Sequence, residues 1–175
     1  MRTAAPTLET ARLRLRAHTR ADFENCAALW ADPEVVRFLG GKPNTREECW
    51  NRVLRQAGLW AFTGMGNWLV ETWDGAFVGE IGFLWLKREI EPRIEGFPEM
   101  GWITQPSAHG KGYASEAVAA ALAWGDANLA QRRYTAIIHP DNAASLNVAR
   151  KAGFTEYARG IYHNDPIVLL ERMRA

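Results

Sequence analysis

The stretch HGKGYASEA, residues 109–117, decides the fold because it joins a strand to a helix through a glycine-rich turn. EMGWIT, residues 99–104, precedes it and predicts a strand, while residues 114–129 carry apolar side chains at helical spacing. Such a turn exposes backbone N–H groups that have no partner inside the helix, and the helix dipole adds positive charge there. The stretch therefore predicts an anion site, with a simple tight turn as the alternative.

The details of the turn restrict which anion it could bind. Gly110 and Gly112 carry no side chains, so phosphate oxygens could approach consecutive backbone amides. The turn lacks the GK[ST] ending that supplies a magnesium-binding hydroxyl in nucleotide-hydrolysing loops. Ser115 stands where the dinucleotide fingerprint GxGxxG needs its third glycine. A pyrophosphate held without a metal ion is the remaining interpretation.

The rest of the chain predicts an α/β fold, with a mixed, predominantly antiparallel central sheet and helices on both faces. Alternating or apolar runs predict strands, and capping residues followed by apolar residues at helical spacing predict helices. The predicted strands are Arg12–Ala17, Trp68–Trp73, Ala76–Leu86, Glu99–Thr104 and RYTAIIH (133–139), and a last hairpin turns at Asn164-Asp165-Pro166. Four helices are predicted: two are capped at Thr19 and Thr45, one follows the glycine turn, and one follows Asp141. The helix capped at Thr45 is predicted either as continuous or with a break. The arginines of RLRLRA are expected to face water.

Composition limits the partners of the chain. We expect residues 1–175 to form one domain, because this length suits a single hydrophobic core. Lys and Arg number 21 against 20 Asp and Glu, so neither nucleic acid nor an anionic membrane is an expected partner. No apolar run or leader suggests a membrane span or a secretory signal, so we expect a cytoplasmic protein. Cys26 and Cys49 lack ligand spacing, and no metal site is expected.

Three motifs, in order, resemble the RimJ/RimL branch of the GNAT acyltransferase superfamily. His109-x-x-Gly112-x-Ala114 is similar to its acyl-CoA pyrophosphate loop, and HPDNAASLNVARKAGF (139–154) matches its NxxSxxVxxKxGF box. LETARLRLRAHTRADF (8–23) looks like its TxRLxLRxxxxxD opening. The resemblance covers nearly the whole chain. It implies the GNAT fold and acetyl transfer from acetyl-CoA to a primary amine within a ternary complex.

The resemblance also implies which residues would contact acetyl-CoA. Backbone amides around Ile103 and Thr104 would bind the pantetheine arm and the thioester oxygen. Asn142 would hydrogen-bond to the pantetheine, and Ser145 would donate a hydrogen bond to the leaving sulfur. Asn142 is also explained as a helix N-cap, with Ser145 in the first turn. The pyrophosphate would lie on the glycine turn, formed by His109, Gly110, Lys111, Gly112, Tyr113 and Ala114.

His109 departs from the family pattern, which prefers Arg or Gln at this position. An imidazole beside a pyrophosphate holds a proton more strongly, so the departure predicts that CoA affinity depends on pH. Affinity that is flat between about pH 5.5 and 8, and unchanged in His109→Gln, would contradict this prediction.

The general base is open between two carboxylates. Many relatives carry a carboxylate on the strand after the long helix, but YTAIIH (134–139) offers none. Glu99 and Glu80 are the substitutes, and either could take the amine proton through water if burial beside Trp102 or Trp85 raised its pKa. Either is equally explained as a solvent-facing strand residue or as an anchor for a cationic substrate.

The acceptor amine and the assembly also stay open. This branch suits several acceptors: a protein N-terminus, an aminoglycoside-like or polyamine small molecule, or an amino acid. The assembly stays open between a monomer and a homodimer, and the acyl group between acetyl and another group. The segment Lys87–Pro98 and the first two helices would shape the acceptor pocket. A non-catalytic CoA-binding or interaction domain is the alternative to an enzyme, and the missing base on the later strand favours it.

Overall fold

A computed structural model of the chain describes residues 4–174, in which the strands form a single sheet. The strands are β1 (Leu8–Glu9), β2 (Leu13–Arg16), β3 (Asn67–Thr72), β4 (Phe77–Leu84), β5 (Glu99–Thr104), β6 (Arg133–Ile138), β7 (Thr155–Tyr162) and β8 (Asp165–Met173). Their order is β1-β2-β3-β4-β5-β6-β8-β7. Every neighbouring pair is antiparallel except β5 and β6, which are parallel. The predicted mixed, predominantly antiparallel sheet is therefore confirmed.

Helices cover both faces of the sheet, as predicted. They are α1 (Phe23–Ala31), α2 (Pro33–Val36), α3 (Arg46–Thr63), α4 (Tyr113–Asn128) and α5 (Ala143–Lys151). Helices α4 and α5 bury apolar side chains against one face, which we call the rear face. Helix α1 and the first half of α3 pack on the other, the front face. No helix within residues 4–174 is long and apolar enough to cross a bilayer.

Two local expectations need correction. Helix α3 runs without a break for 18 residues behind the predicted capping box, in which Thr45 and Glu48 satisfy each other's backbone N–H groups. The last hairpin turns at His163 and Asn164, whose φ angles are 50° and 69°, and Pro166 already lies in β8. Positive φ at both central residues is the pattern of a type I′ loop, which proline cannot supply.

The arginines of β2 do not face open water. Arg14 and Arg16 both bind the buried carboxylate of Glu71 on β3, and Arg16 also forks onto Asp22 at 2.8 and 2.9 Å. Burial alone would raise the pKa of Asp22, but hydrogen bonds from Arg16 and Thr19 lower it to about 2. The polar side of this strand is therefore an ion-pair layer that ties β2 to β3 and to the start of α1.

The sheet opens between β5 and β6. Their pairing consists of Glu99 opposite Thr135, and beyond this pair the two strands diverge. We call the resulting gap the wedge. The glycine turn leads from the far end of β5 into α4 on the rear side, and α5 begins just after the end of β6. The two motifs of the sequence therefore flank the same opening.

The segment Lys87–Pro98 covers the front face beyond the wedge. Its Ile90 and Ile94 pack against Ile167 and Leu169 of β8. It has no strand or helix of its own. On the front side, the wedge is therefore flanked by α3 and by this segment.

Candidate active site

The glycine turn presents a row of unpaired backbone N–H groups. Gly110 and Gly112 have φ angles of 73° and 77°, a left-handed conformation that favours glycine. Among the described residues, the N–H groups of residues 110–115 have no hydrogen-bond partner, and the bond from Glu116 N–H to the Gly112 carbonyl (3.1 Å) is the first of α4. A Cβ at Gly110 would meet nothing within 4 Å. The donors are therefore accessible, and they suit a phosphate-sized anion at a helix N-terminus.

A side chain from the other end of the chain braces this turn. Arg12 donates to the Lys111 carbonyl at 2.8 Å and to Glu116 at 2.7 Å, and Thr10 donates to the same carboxylate at 2.6 Å. The Arg12 guanidinium also lies 4.9 Å from the centre of the Tyr113 ring. Sequence reasoning missed Arg12 and Glu116, because nothing local distinguishes this arginine from the other two of RLRLRA.

His109 lies at the start of the turn with its side chain exposed. Its Nε2 is 3.2 Å from the backbone oxygen of Thr104, the last residue of β5. This contact ties the turn to the strand that borders the wedge. Lys111 is also exposed and adds a positive charge beside the free N–H groups.

The start of α5 brings Asn142 and Ser145 together on the other side of the wedge. The side-chain oxygen Oδ1 of Asn142 accepts a hydrogen bond from Ser145 N–H at 3.1 Å, so Asn142 is the N-cap of the helix. Within the part of the chain that the structure describes, the side-chain Nδ2 of Asn142 and the Ser145 hydroxyl have no partner. The capping alternative thus holds for Asn142, and polar groups of both residues remain free for a ligand.

The front face has open space at its centre. Met100 and Trp102 of β5 pack into the rear core, so Gly101 between them faces the front. A Cβ at Gly101 would meet one atom, Leu84 Cδ1 at 3.6 Å. We call the space above Gly101 and Leu84 the front pocket. It borders the wedge, and Ile103 and Glu99 flank it on the same face of β5.

Glu80 lies at the edge of the front pocket, opposite Ile103 in the neighbouring strand. Its side chain is 1% exposed, with one oxygen 2.7 Å from His18 Nε2 and the other accepting from Trp30 Nε1 at 2.5 Å. Burial alone would raise the pKa of Glu80, but the hydrogen bonds from His18 and Trp30 outweigh it and lower the pKa. This is opposite to the direction expected from the sequence. Trp85, the expected neighbour, is not among its partners.

Glu99 is also buried, and both of its oxygens are also bound. The Arg88 guanidinium binds both of its oxygens, at 2.5 and 2.7 Å, and the same guanidinium lies 4.9 Å from the centre of the Tyr162 ring. Burial alone would lower the pKa of Arg88, but Glu99 raises it. Glu99 is therefore not a solvent-facing strand residue. His18, Trp30 and Arg88 are the three partners of these carboxylates that sequence reasoning missed.

One group of side chains could in principle hold a metal ion. Ligand atoms of His18, Cys26 and Glu80 lie within 4.8 Å of one another. Burial raises the pKa of the Cys26 thiol strongly, so this group keeps its proton, and the Glu80 oxygens already accept two hydrogen bonds. A metal ion would have to displace the Cys26 proton and the two hydrogen bonds on Glu80.

The sheet is thus splayed between β5 and β6, with free backbone amides on its rear side and open space above Gly101 on its front side. A family model described as the Acetyltransferase (GNAT) domain matches residues 12–155, and the chain belongs to this family. The uncharacterised protein YkkB of Bacillus subtilis (strain 168) is 32% identical over 97% of this chain and 96% of its own length. The predicted family is confirmed.

Other similar proteins agree on the class. The uncharacterised N-acetyltransferase p20 of Bacillus licheniformis is 28% identical over 85% of this chain and 82% of its own. A putative GNAT-family acetyltransferase from Bordetella pertussis superposes with a TM-score of 0.84 at 28% identity, over 98% of this chain and 100% of its own. The RimL ribosomal L7/L12 α-N-protein acetyltransferase in complex with coenzyme A shares the fold, with a TM-score of 0.78 at 18% identity over 97% and 98% of the two chains. The protein is therefore an acetyltransferase by family and fold.

Proposed function

We propose that this protein transfers the acetyl group of acetyl-CoA directly to a primary amine in a ternary complex. The observation that carries the proposal is the row of free N–H groups at residues 110–115, which opens beside the wedge. Two anionic phosphates would replace the missing hydrogen bonds, and the α4 dipole would favour their charge. Lys111 would add a point charge at the same place.

On the donor side, we assign the pantetheine arm to the wedge. Backbone amides near Ile103 and Thr104 would bind it and polarise the thioester oxygen, since β5 has no pairing with β6 beyond Glu99. The free amide nitrogen of Asn142 would donate to the arm. The Ser145 hydroxyl would donate to the sulfur as the thiolate leaves, either as a hydrogen bond or as a proton relay.

On the acceptor side, the amine would enter the front pocket above Gly101. Its nitrogen would form the new N–C bond while the C–S bond breaks, and its proton would pass through water to a carboxylate. Glu99 and Glu80 stay the two candidates, and His18, which shares a hydrogen bond with Glu80, is a third. The lowered pKa of Glu80 makes this carboxylate a weaker base than a free glutamate side chain.

The test is thiol release from acetyl-CoA with a panel of amines. We expect turnover with at least one amine, and we expect Ser145→Ala to slow it by about tenfold while CoA affinity, measured by calorimetry, is kept. Tight CoA binding without turnover for any amine would instead identify a non-catalytic CoA-binding domain. Propionyl-CoA in place of acetyl-CoA tests the choice of acyl group.

The two cysteines support a location for this reaction. Cys26 and Cys49 are both buried and unpaired. Free buried thiols suit the reducing cytoplasm, where acetyl-CoA would be the donor. Finding a disulfide between them in protein purified without reductant would contradict this location.

A further inference from the structure

We propose that Arg52 and Arg55 of α3 form an anion anchor at the front pocket, so that the acceptor amine also carries a carboxylate. This inference rests on the proposed function, because it names the class of amine that the same site would take. It is argued from the placement of the two arginines, from the charges around them, and from the chemistry of a guanidinium.

Helix α3 brings both arginines toward the front pocket. They are three residues apart, which places them on the same side of the helix. The Arg52 guanidinium carbon lies 3.6 Å from the centre of the Trp30 ring, and the Nε1 of that ring donates to Glu80 at 2.5 Å. One aromatic ring therefore separates the Arg52 charge from the carboxylate at the pocket edge.

The arginines have no counter-ion of their own. Glu80 and Glu99 are already bound by His18, Trp30 and Arg88. Among residues 4–174, neither Arg52 nor Arg55 takes part in an ion pair within 4.0 Å.

Their surroundings leave both guanidiniums within reach of a ligand, because Arg55 is exposed and Arg52 is half-buried. Partial burial lowers the pKa of both side chains, and the charge of Arg55 lowers the pKa of Arg52 further. The charge of Glu80 opposes the lowering at Arg55, and the charge of Arg88 adds to it. An accessible guanidinium beside other cations and without a counter-ion favours an anionic ligand.

A carboxylate is the anion that fits. The planar fork of a guanidinium matches the two oxygens of a carboxylate, and Arg88 and Glu99 make this pairing at the opposite side of the pocket. The acceptor's amine would then lie toward the carboxylates and its own carboxylate toward α3. A polyamine would bring further positive charge against Arg52, Arg55 and Arg88, which disfavours it. Free amino acids and peptides with an acidic residue next to the N-terminus both present this chemistry.

The experiment compares matched amines. Thiol release is measured with L-amino acids and their amides, with short peptides that carry Glu or Gln at the second position, and with spermidine. We expect kcat/KM to be at least about tenfold higher for the carboxylate member of a pair. The amino-acid pairs and the peptide pairs distinguish the two sources of the carboxylate.

Variants then assign the preference to the arginines. The measured quantity is the ratio of kcat/KM for the carboxylate member of a pair to kcat/KM for its amide. Arg55→Gln and Arg52→Gln should bring this ratio toward one, because KM for the carboxylate member rises while kcat is kept. Arg55→Lys should keep most of the ratio. Arg46→Gln on the same helix is the matched control, because Arg46 is exposed and pairs with Glu24. Equal kcat/KM for acids and amides, or a preference for spermidine, would overturn the anchor while leaving the acetyltransferase intact.

A binding measurement separates this inference from the proposed function. N-acetylated amino acids with a free or an amidated carboxyl group are titrated by calorimetry into the protein with CoA present. If no amine turns over, the proposed function fails, yet weaker binding of the free acid in Arg55→Gln would still support the anchor. Equal binding of acid and amide in the unmodified protein would mean that Arg52 and Arg55 are merely solvated cations, and the anchor would be wrong.

Discussion

The glycine turn and the front pocket, the two places proposed to bind ligands beside the wedge, are built in different ways. The turn offers backbone N–H groups at residues 110–115, held by left-handed glycines. The pocket is built from charged side chains that come from distant parts of the chain, such as the His18 and Glu80 pair. The first kind of site depends on backbone conformation, and the second depends on which charges meet. Substitutions should therefore damage the two sites in different ways.

The largest effect is expected where backbone conformation is essential. Gly112→Val places a branched side chain at a φ of 77° and moves the N–H groups that follow. We expect CoA affinity to fall by about 100-fold, from backbone strain and lost hydrogen bonds together. Calorimetric titration with CoA measures this. Gly64→Val is the control, because Gly64 has a similar φ of 74° but caps the C-terminal end of α3; similar loss of affinity there would refute the backbone argument.

A somewhat smaller effect should come from the charges that support the front side. The pKa of Asp22 is about 2 when folded and 3.8 as the reference value, so folding favours the ionised carboxylate. The resulting stability is present above about pH 4 and is lost as pH falls through about 2, and it amounts to about 2 kcal/mol. Denaturant unfolding between pH 2 and 6 should show this slope, and Asp22→Asn should reduce it. An unchanged slope in Asp22→Asn would mean that the Arg16 pairing contributes nothing.

The smallest effect is expected from filling the front pocket, which tests whether the donor and acceptor sites are separate. Gly101→Val adds methyl groups to the space beside Leu84 without a left-handed backbone to strain. We expect kcat/KM for the amine to fall by about tenfold, since overfilling a site of this size typically costs 1–3 kcal/mol. CoA affinity and kcat/KM for the amine are measured on the same preparation. A fall in CoA affinity instead would show that donor and acceptor sites are not separated at β5.

Local patterns were sufficient for the first kind of site. Residues close together in sequence determine three features: the glycine turn, the capping box at Thr45, and the turn at Asp74-Gly75 between the predicted strands Trp68–Trp73 and Ala76–Leu86. The structure has all three at these positions. Errors arose where a local signal was ambiguous, as in the last hairpin, where Asn164-Asp165-Pro166 resembles a turn but the positive φ angles belong to His163 and Asn164.

Long-range partners could not be predicted. Glu80 is bound by side chains 62 and 50 positions earlier in the chain, and Glu116 by an arginine 104 positions earlier. No periodicity links such residues, since tertiary packing alone brings them together. A pKa raised by burial was the condition for Glu80 to act as a base, and this condition is not met because His18 and Trp30, which were not foreseen, lower the pKa. The catalytic roles of Ser145, Glu99 and Glu80 stay predictions.

The single residue pair between β5 and β6 also has a mechanical meaning. Glu99 and Thr135 are the residue pair that links the strands β1 to β5 with the strands β6 to β8. Among the described residues, no other neighbouring strands in the sheet are paired at a single position. Strands paired at one position resist bending of the sheet far less than strands joined by a full ladder of hydrogen bonds. A donor bound in the wedge would contact both groups of strands. We therefore expect donor binding to reduce the motion of the two groups relative to each other before the acceptor is enclosed.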